Sequence, residues 1–307
     1  MVSLKLKLPE HFLEGETRCG YYISPEMKRV WAVELDLLAE FMRVCENHHL
    51  KFFADGGTLL GAVRHKGMIP WDDDIDVAMM RNEFEKLCEV APKEFKYPYF
   101  FQTEKTDPGS ARGHAQIRNS ETTGILKGEQ HLSLPFNQGI FLDVFPLDDV
   151  PDNEKERKLF FNEIHSLSLK ISKIIRLTVR YKKSHKIWKR PLKALIHKLF
   201  LLTGISYKSL YFKREKLFQK YDNKKCKYVG ELVLQPMNPR WVWNKEVFEK
   251  TVYLPFEMLT IPAPWRYEEF LDQEYGNWHD FIKGTSVHGG CVFDVNKSYK
   301  YYLSDKR

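Results

Sequence analysis

The chain has 307 residues, 43% hydrophobic and 14% aromatic, with a net charge of +7. That composition excludes a disordered protein, and no apolar run is long enough for a spanning helix. The start, Met1-Val-Ser-Leu-Lys-Leu-Lys, alternates and is broken by Pro9 and Glu10, unlike a signal peptide. Five scattered cysteines (Cys19, Cys45, Cys88, Cys226, Cys291) form no C-x-x-C pair, which argues against disulfides or structural zinc. A cytoplasmic protein with free thiols is expected.

In chain order, Ser24-Pro25-Glu26 reads as a helix start, with a capping hydroxyl, proline in the first turn and an early acid. Trp31, Leu35, Leu38, Met42 and Cys45 follow at helical spacing. Leu50 to Ala54 reads as a short strand running into Asp55-Gly56-Gly57-Thr58, then a helical turn from Leu59 to Arg64. Ile75 to Met79 is the next strand, and Asn82 to Val90 a helix stopped by Pro92. Tyr99 to Gln102, His114 to Arg118 and Gly139 to Phe145 are further strands separated by turn signals such as Asp107-Pro-Gly109.

The first 150 residues thus predict a mixed α/β (α+β) core, residues 151–230 a basic helical insertion, and residues 231–307 an aromatic-rich segment that completes the core. In that C-terminal segment a helix is expected from Pro264 to Tyr275, ending at Gly276. Charge follows the same division. Residues 155–227 hold 22 Lys and Arg against 4 Asp and Glu, whereas the remainder holds 26 against 37. So basic a block suggests an anionic partner.

The stretch Pro70-Trp-Asp-Asp-Asp-Ile-Asp-Val77 sets four carboxylates in five positions. If it is extended, Asp72, Asp74 and Asp76 share one face, while Asp73 lies with Ile75 and Val77 on the other. Carboxylates so close cannot all ionise cheaply unless a cation neutralises them, and oxygen-only ligands suit Mg²⁺, with Mn²⁺ the alternative. Asp143 stands alone in the apolar run Gly139-Ile-Phe-Leu-Asp-Val-Phe-Pro-Leu-Asp148 and needs a partner. A neighbouring strand would put it beside Asp74 and Asp76. Taken singly, residues 72–74 could be an acidic turn and Asp143 a cap or an ion-pair member. Gly56-Gly57 upstream tips the reading, because a Gly-Gly turn before a helix lets backbone N–H groups approach a phosphate.

The run from Gly57 through Gly61-Ala-Val-Arg64-His-Lys66-Gly-Met-Ile-Pro-Trp71-Asp-Asp-Asp-Ile-Asp76 resembles the signature of the LicD family. That family lies in the nucleotidyltransferase superfamily, of DNA polymerase beta type. Phe141-Leu-Asp-Val-Phe-Pro-Leu-Asp148, Pro262-Ala-Pro264 to Phe270-Leu271, and Tyr275-Gly276 are similar too, whereas the basic block is not. The resemblance implies a nucleotidyltransferase fold and phosphocholine transfer from CDP-choline, on a fold shared with fukutin-type ribitol-phosphate transferases. It implies that Asp74, Asp76 and Asp143 bind metal and that Asp72 is a supporting or acceptor-side carboxylate. Gly56, Gly57 and Thr58 become the phosphate-facing loop. Arg64, Lys66 and Trp71 lie within the signature, and Arg118 is similar to a position that could meet the diphosphate.

The expected reaction is attack by an acceptor hydroxyl on the choline-bearing phosphorus, with CMP leaving in line, two Mg²⁺ ions assisting and Asp143 or Asp72 as base. Choline is usually held by aromatic faces. Trp71, Trp241, Trp243, Trp265, Tyr267, Tyr275 and Trp278 are available, and Trp241 and Trp243, alternating with Val242, would share a strand face. The expected acceptor is a sugar hydroxyl of a cell-surface glycopolymer, a teichoic acid or its lipid-linked precursor.

Within residues 186–202, Leu192, Leu195, Ile196, Leu199 and Leu202 fall on one helical face and Lys189, Lys193 and Lys198 towards the other. Such a helix can lie in a membrane interface, or pack on the core with a solvated basic face. No aromatic recognition motif accompanies the charge, so nucleic acid is not expected. His288 reads as an ordinary surface residue. The rival functions are transfer of ribitol phosphate, glycerol phosphate or a nucleotide, and, from another class, non-catalytic binding of a polyanion.

Overall fold

A computed structural model describes residues 1–132, 134–181, 190–204, 206–222, 224–234, 238–283 and 290–304. His288 and the start of the basic segment, 186–189, lie outside them. The chain opens with a hairpin, β1 (Glu16–Arg18) and β2 (Tyr21–Ile23), before helix α1 (Pro25–Asn47). Ser24 caps α1 by accepting from the Met27 N–H at 3.3 Å, as its sequence suggests. Trp31, Leu35, Leu38 and Phe41 of α1 are wholly buried. Burial extends to polar side chains of the same helix. Asp36 accepts from the Lys5 and Leu6 N–H groups and from the Tyr99 hydroxyl.

Then come β3 (Phe53–Ala54), α2 (Gly56–His65), β4 (Asp76–Met80), α3 (Arg81–Glu94), β5 (Tyr99–Gln102), β6 (Ala115–Asn119), β7 (Thr123–Leu126) and the long β8 (Ile140–Val150). Pro92 does not stop α3. It sits in the last turn, where the Phe95 N–H still closes on the Ala91 carbonyl. The basic block folds as α4 (Glu154–Leu177), α5 (Arg190–Leu202) and α6 (Tyr207–Phe218). The chain ends with β9 (Tyr228–Gly230), β10 (Val242–Asn244), β11 (Thr251–Phe256), β12 (Leu259–Pro264), α7 (Tyr267–Tyr275), β13 (Cys291–Asp294) and α8 (Tyr299–Ser304). The helix expected from Pro264 starts later because Pro262 and Pro264 are strand residues paired with β11.

The central sheet is seven-stranded and mixed. β8 is its spine: β4 pairs with it in parallel, β6 runs antiparallel along its first half, and β9 along its end. The register sets Asp76 directly beside Asp143. The main core joins α1, α2 and the sheet to Trp243, Phe248, Phe256, Phe270 and Leu271 of the C-terminal segment. A second cluster, Phe160, Phe161, Ile164 and Leu167 with Phe218 and Tyr221, seats α4 and α6 against the end of β8 at Val150. Among the described residues no helix is long and apolar enough to cross a membrane.

Candidate active site

The acidic stretch is not the regular strand its alternation suggests. β4 begins only at Asp76, and residues 72–75 are an irregular lead-in with Ile75 buried. Alternation therefore fails there, and Asp73 turns to the same side as its neighbours. One carboxylate oxygen from each of Asp72, Asp73 and Asp74 lies within 4.8 Å of the others. This correction adds Asp73 to the predicted set. The lead-in is pinned from below, where the Trp31 indole N–H donates to the Asp72 carbonyl at 3.0 Å. Glu34, buried one turn further along α1, has its carboxyl pushed well above the usual range by burial and by Asp74.

Asp76 follows from β4. Its carboxyl is pushed well up by lost hydration and then by the charges of Asp74 and Asp143. Asp72 is raised too, by lost hydration and by Asp74. Asp143 behaves differently. Burial raises it, but His114, with its ring 3.3 Å away, and the Gln116 amide at 2.5 Å outweigh that and hold it below the ordinary value. Among the described residues no lysine or arginine forms an ion pair with Asp72 or Asp76. A crowd of carboxylate oxygens is the donor set of a hard divalent cation, so the residues fit Mg²⁺.

Helix α2 points its N-terminus at this cluster. A Cβ at Gly57 would meet Asp72 Oδ2 at 2.6 Å, so only glycine admits the carboxylate so close. Thr58 is buried, and its hydroxyl accepts from the Asp76 N–H at 2.8 Å, fastening α2 to β4. At the other end, Arg64 donates to the carbonyls of Trp278 and Asp280, and its guanidinium lies over Phe281. Lys66 is exposed in a left-handed conformation that ends the helix. Trp71 packs edge-on to Tyr21 and His65. These three shape the rim rather than the carboxylate cluster.

Two expectations are corrected. Arg118 is 1% exposed and donates to Gln102, Gly139 and Gln116, so it cannot reach out to a diphosphate. Instead it orients Gln116, which in turn holds Asp143. Trp243 is 2% exposed and stacks on Phe270 at 4.5 Å, a core contact that leaves no free face for choline. Trp241 does not share its strand face, because it ends a helical turn before β10. It stays half-buried and meets Glu274.

Sequence reasoning missed a second acidic group. Asp55, Glu231 and Glu274 are each buried, and they adjoin Asp76 across Gly56. It missed His114 and Gln116 as partners of Asp143 as well. A cavity of about 360 Å³ between α3, α6 and the start of β6 reaches His114. The larger cavity, about 650 Å³ between the start of α1 and β13, holds none of the clustered aspartates.

The family model described as "LicD/FKTN/FKRP, nucleotidyltransferase domain" matches residues 49–173, which takes in α2, β4, β8 and most of α4. The likeness therefore runs into the basic block rather than stopping before it. The chain is 32% identical over 250 residues to the lipopolysaccharide cholinephosphotransferase LicD of Haemophilus influenzae, covering 80% of this chain and 88% of that protein. Shorter likenesses link it to an uncharacterized protein of Rickettsia prowazekii, 33% identical over 22% of this chain and 26% of that one. Another of Rickettsia typhi is 32% identical over 27% and 29%.

Proposed function

This chain belongs to the LicD family, and from that membership we propose that it transfers phosphocholine from CDP-choline to a sugar hydroxyl of a cell-surface glycopolymer, releasing CMP. The observation that carries the reading is the parallel pairing of β4 with β8, which sets Asp76 beside Asp143 at the N-terminus of α2. Asp74, Asp76 and Asp143, with Asp72 and Asp73 adjoining, would hold Mg²⁺, which when bound neutralises phosphate oxygens and lowers the barrier to displacement. The N–H groups at the start of α2 would face the phosphate. The acceptor O–P bond forms as the P–O bond to CMP breaks, and the hydroxyl proton passes to Asp143 or Asp72. Asp143 is kept ionised for this by His114 and Gln116.

For the acceptor we propose a teichoic acid or its lipid-linked precursor. Lipopolysaccharide, on which the Haemophilus relative acts by its name, is the second reading. The test measures CMP release from CDP-choline with Mg²⁺, offering dephosphocholinated teichoic acid and lipopolysaccharide separately. Acceptor-dependent release, lost in Asp74→Asn, is the expected result. No release with either acceptor from a folded, metal-bound protein would sink the assignment, and release with CDP-ribitol or CDP-glycerol instead would move it to another donor.

We further place the protein in the cytoplasm, which suits five free thiols, resting on the inner face of the membrane through α5. Leu192, Leu195, Leu199 and Leu202 of α5 are 61%, 53%, 54% and 82% exposed, an apolar face left to solvent. Basic residues crowd the same third of the chain, so the face suits an anionic bilayer. Wild type should co-sediment with phosphatidylglycerol vesicles, and Leu195→Glu with Leu199→Glu should weaken this about tenfold or more. Equal sedimentation of the double variant would remove α5 from the membrane.

A further inference from the structure

Asp143 and Asp148, both on β8, meet arginines in different ways. Arg81 engages the whole Asp148 carboxylate, Nε on Oδ1 and Nη2 on Oδ2. Arg118 is buried as well, yet it forms no ion pair among the described residues. An amide stands between it and an aspartate on either side. Its Nε donates to Gln102 Oε1 at 2.6 Å, and Gln102 Nε2 donates onward to Asp107 Oδ2 at 2.6 Å. Its Nη2 donates to Gln116 Oε1 at 2.5 Å, and Gln116 Nε2 donates onward to Asp143 Oδ1. Nη1 goes to the Gly139 carbonyl at 2.6 Å, which fixes the plane of the guanidinium.

The order of these groups removes their freedom. A guanidinium only donates and an ionised carboxylate only accepts, so each amide has one orientation that satisfies both neighbours. Gln116 is buried and is therefore held with its NH₂ end on Asp143. The His114 ring nitrogen Nε2 lies 3.3 Å from Oδ1 as well, so both contacts fall on the same oxygen. Among the described residues nothing hydrogen-bonds to Oδ2. The Asp143 side chain is 15% exposed, and Oδ2 is the oxygen left for a cation. Had Arg118 met Asp143 directly, as Arg81 meets Asp148, its fork would have claimed both oxygens. The interposed amide claims one.

Divalent cations differ in what they ask of a carboxylate. Mg²⁺ demands a near-ideal octahedron at short distances, whereas Ca²⁺ takes more oxygens in looser geometry, often both from one carboxylate. A carboxylate with one oxygen already claimed suits the first ion and handicaps the second. We infer that Arg118 and Gln116 are positioning residues that restrict Asp143 to a single metal-facing oxygen and so select Mg²⁺ over Ca²⁺. This inference rests on the metal reading proposed above and adds the residues that set the choice of ion.

The experiment is calorimetric titration of the metal-free full chain with MgCl₂ and with CaCl₂. Gln116→Leu keeps the bulk of the side chain and removes the donor, whereas Arg118→Lys keeps the buried charge and removes the fork. Wild type should bind Mg²⁺ the more tightly. Each variant should lower the Mg²⁺-to-Ca²⁺ affinity ratio about tenfold or more, chiefly through weaker Mg²⁺ binding. A merely structural role would lower the melting temperature and leave that ratio alone. Arg118→Lys carries the test if Gln116→Leu does not fold. An unchanged ratio in the folded variants overturns the inference while the metal reading stands. A ratio lowered by Gln116→Leu but kept by Arg118→Lys would show that charge suffices, and overturns the positioning role of Arg118. No binding of either ion to wild type would instead remove the metal reading, and this inference with it.

Discussion

Asp76→Asn should abolish turnover and at the same time raise the melting temperature of the metal-free protein at pH 8. Both effects follow from its place between Asp74 and Asp143. Lost hydration and those two neighbours push its carboxyl well above the usual value. A carboxyl raised in the folded state favours folding below its unfolded value, and that contribution is lost as pH rises through the folded value. At pH 8 in EDTA, burying Asp76 beside Asp74 and Asp143 therefore costs stability, and asparagine removes the cost. Near pH 4 the two proteins should melt closer together. Mg²⁺ should reverse the order, since only wild type gains fully from binding, about 2.7 kcal/mol at a hundred times Kd. Activity should fall beyond the roughly 100-fold that losing a mere supporting group costs. Calorimetry at both pH values, with EDTA and with Mg²⁺, reads the stability changes, and CMP release reads the activity. A variant that melts below wild type in EDTA at pH 8 would show Asp76 to be a structural anchor instead.

Arg81→Ala should be the most destabilising single change in the fold. Arg81 opens α3 at 5% exposure and holds Asp148, which is fully buried, through Nε–Oδ1 at 2.6 Å and Nη2–Oδ2 at 2.9 Å. Removing one partner of a buried, bidentate pair leaves a desolvated charge and costs about 3–5 kcal/mol. Replacing both, as Arg81→Met with Asp148→Leu, should recover much of the loss, because neither charge is then stranded. Urea denaturation of the single and double variants gives the comparison. A double variant as unstable as Arg81→Ala would mean that packing, not charge, dominates there.

Much of the acidic cluster was legible in the sequence because its residues lie on or beside regular strands. Asp76 and Asp143 are the two such acids, and their shared register follows from two apolar runs pairing in parallel. Alternation misplaced Asp73 because residues 72–75 do not join a ladder, and only a ladder enforces a two-residue period. Trp243 looked available because Trp241, Val242 and Trp243 are all apolar, so the sequence does not tell which side of that stretch is the core. Its partner, Phe270, comes from a distant helix. Arg118 looked like a phosphate ligand because arginine so often is one, yet here the fold buries it and supplies three acceptors. Asp55, Glu231 and Glu274 carry no local pattern at all. They converge only through tertiary contact, and their one hint was Asp55 standing before Gly56-Gly57.

Strand β8 carries both Asp143 and Asp148, an odd number of positions apart on one continuous strand. They consequently face opposite sides, one to Asp76 and the acidic cluster and the other to the anchor of α3. Such a strand works as a reading frame. Substitutions between them change one side chain at a time, whereas inserting or deleting a single residue would exchange the two sides and cost activity and stability together. Changes in chain length, and with them any divergence in acceptor choice, are thereby confined to segments outside that interval.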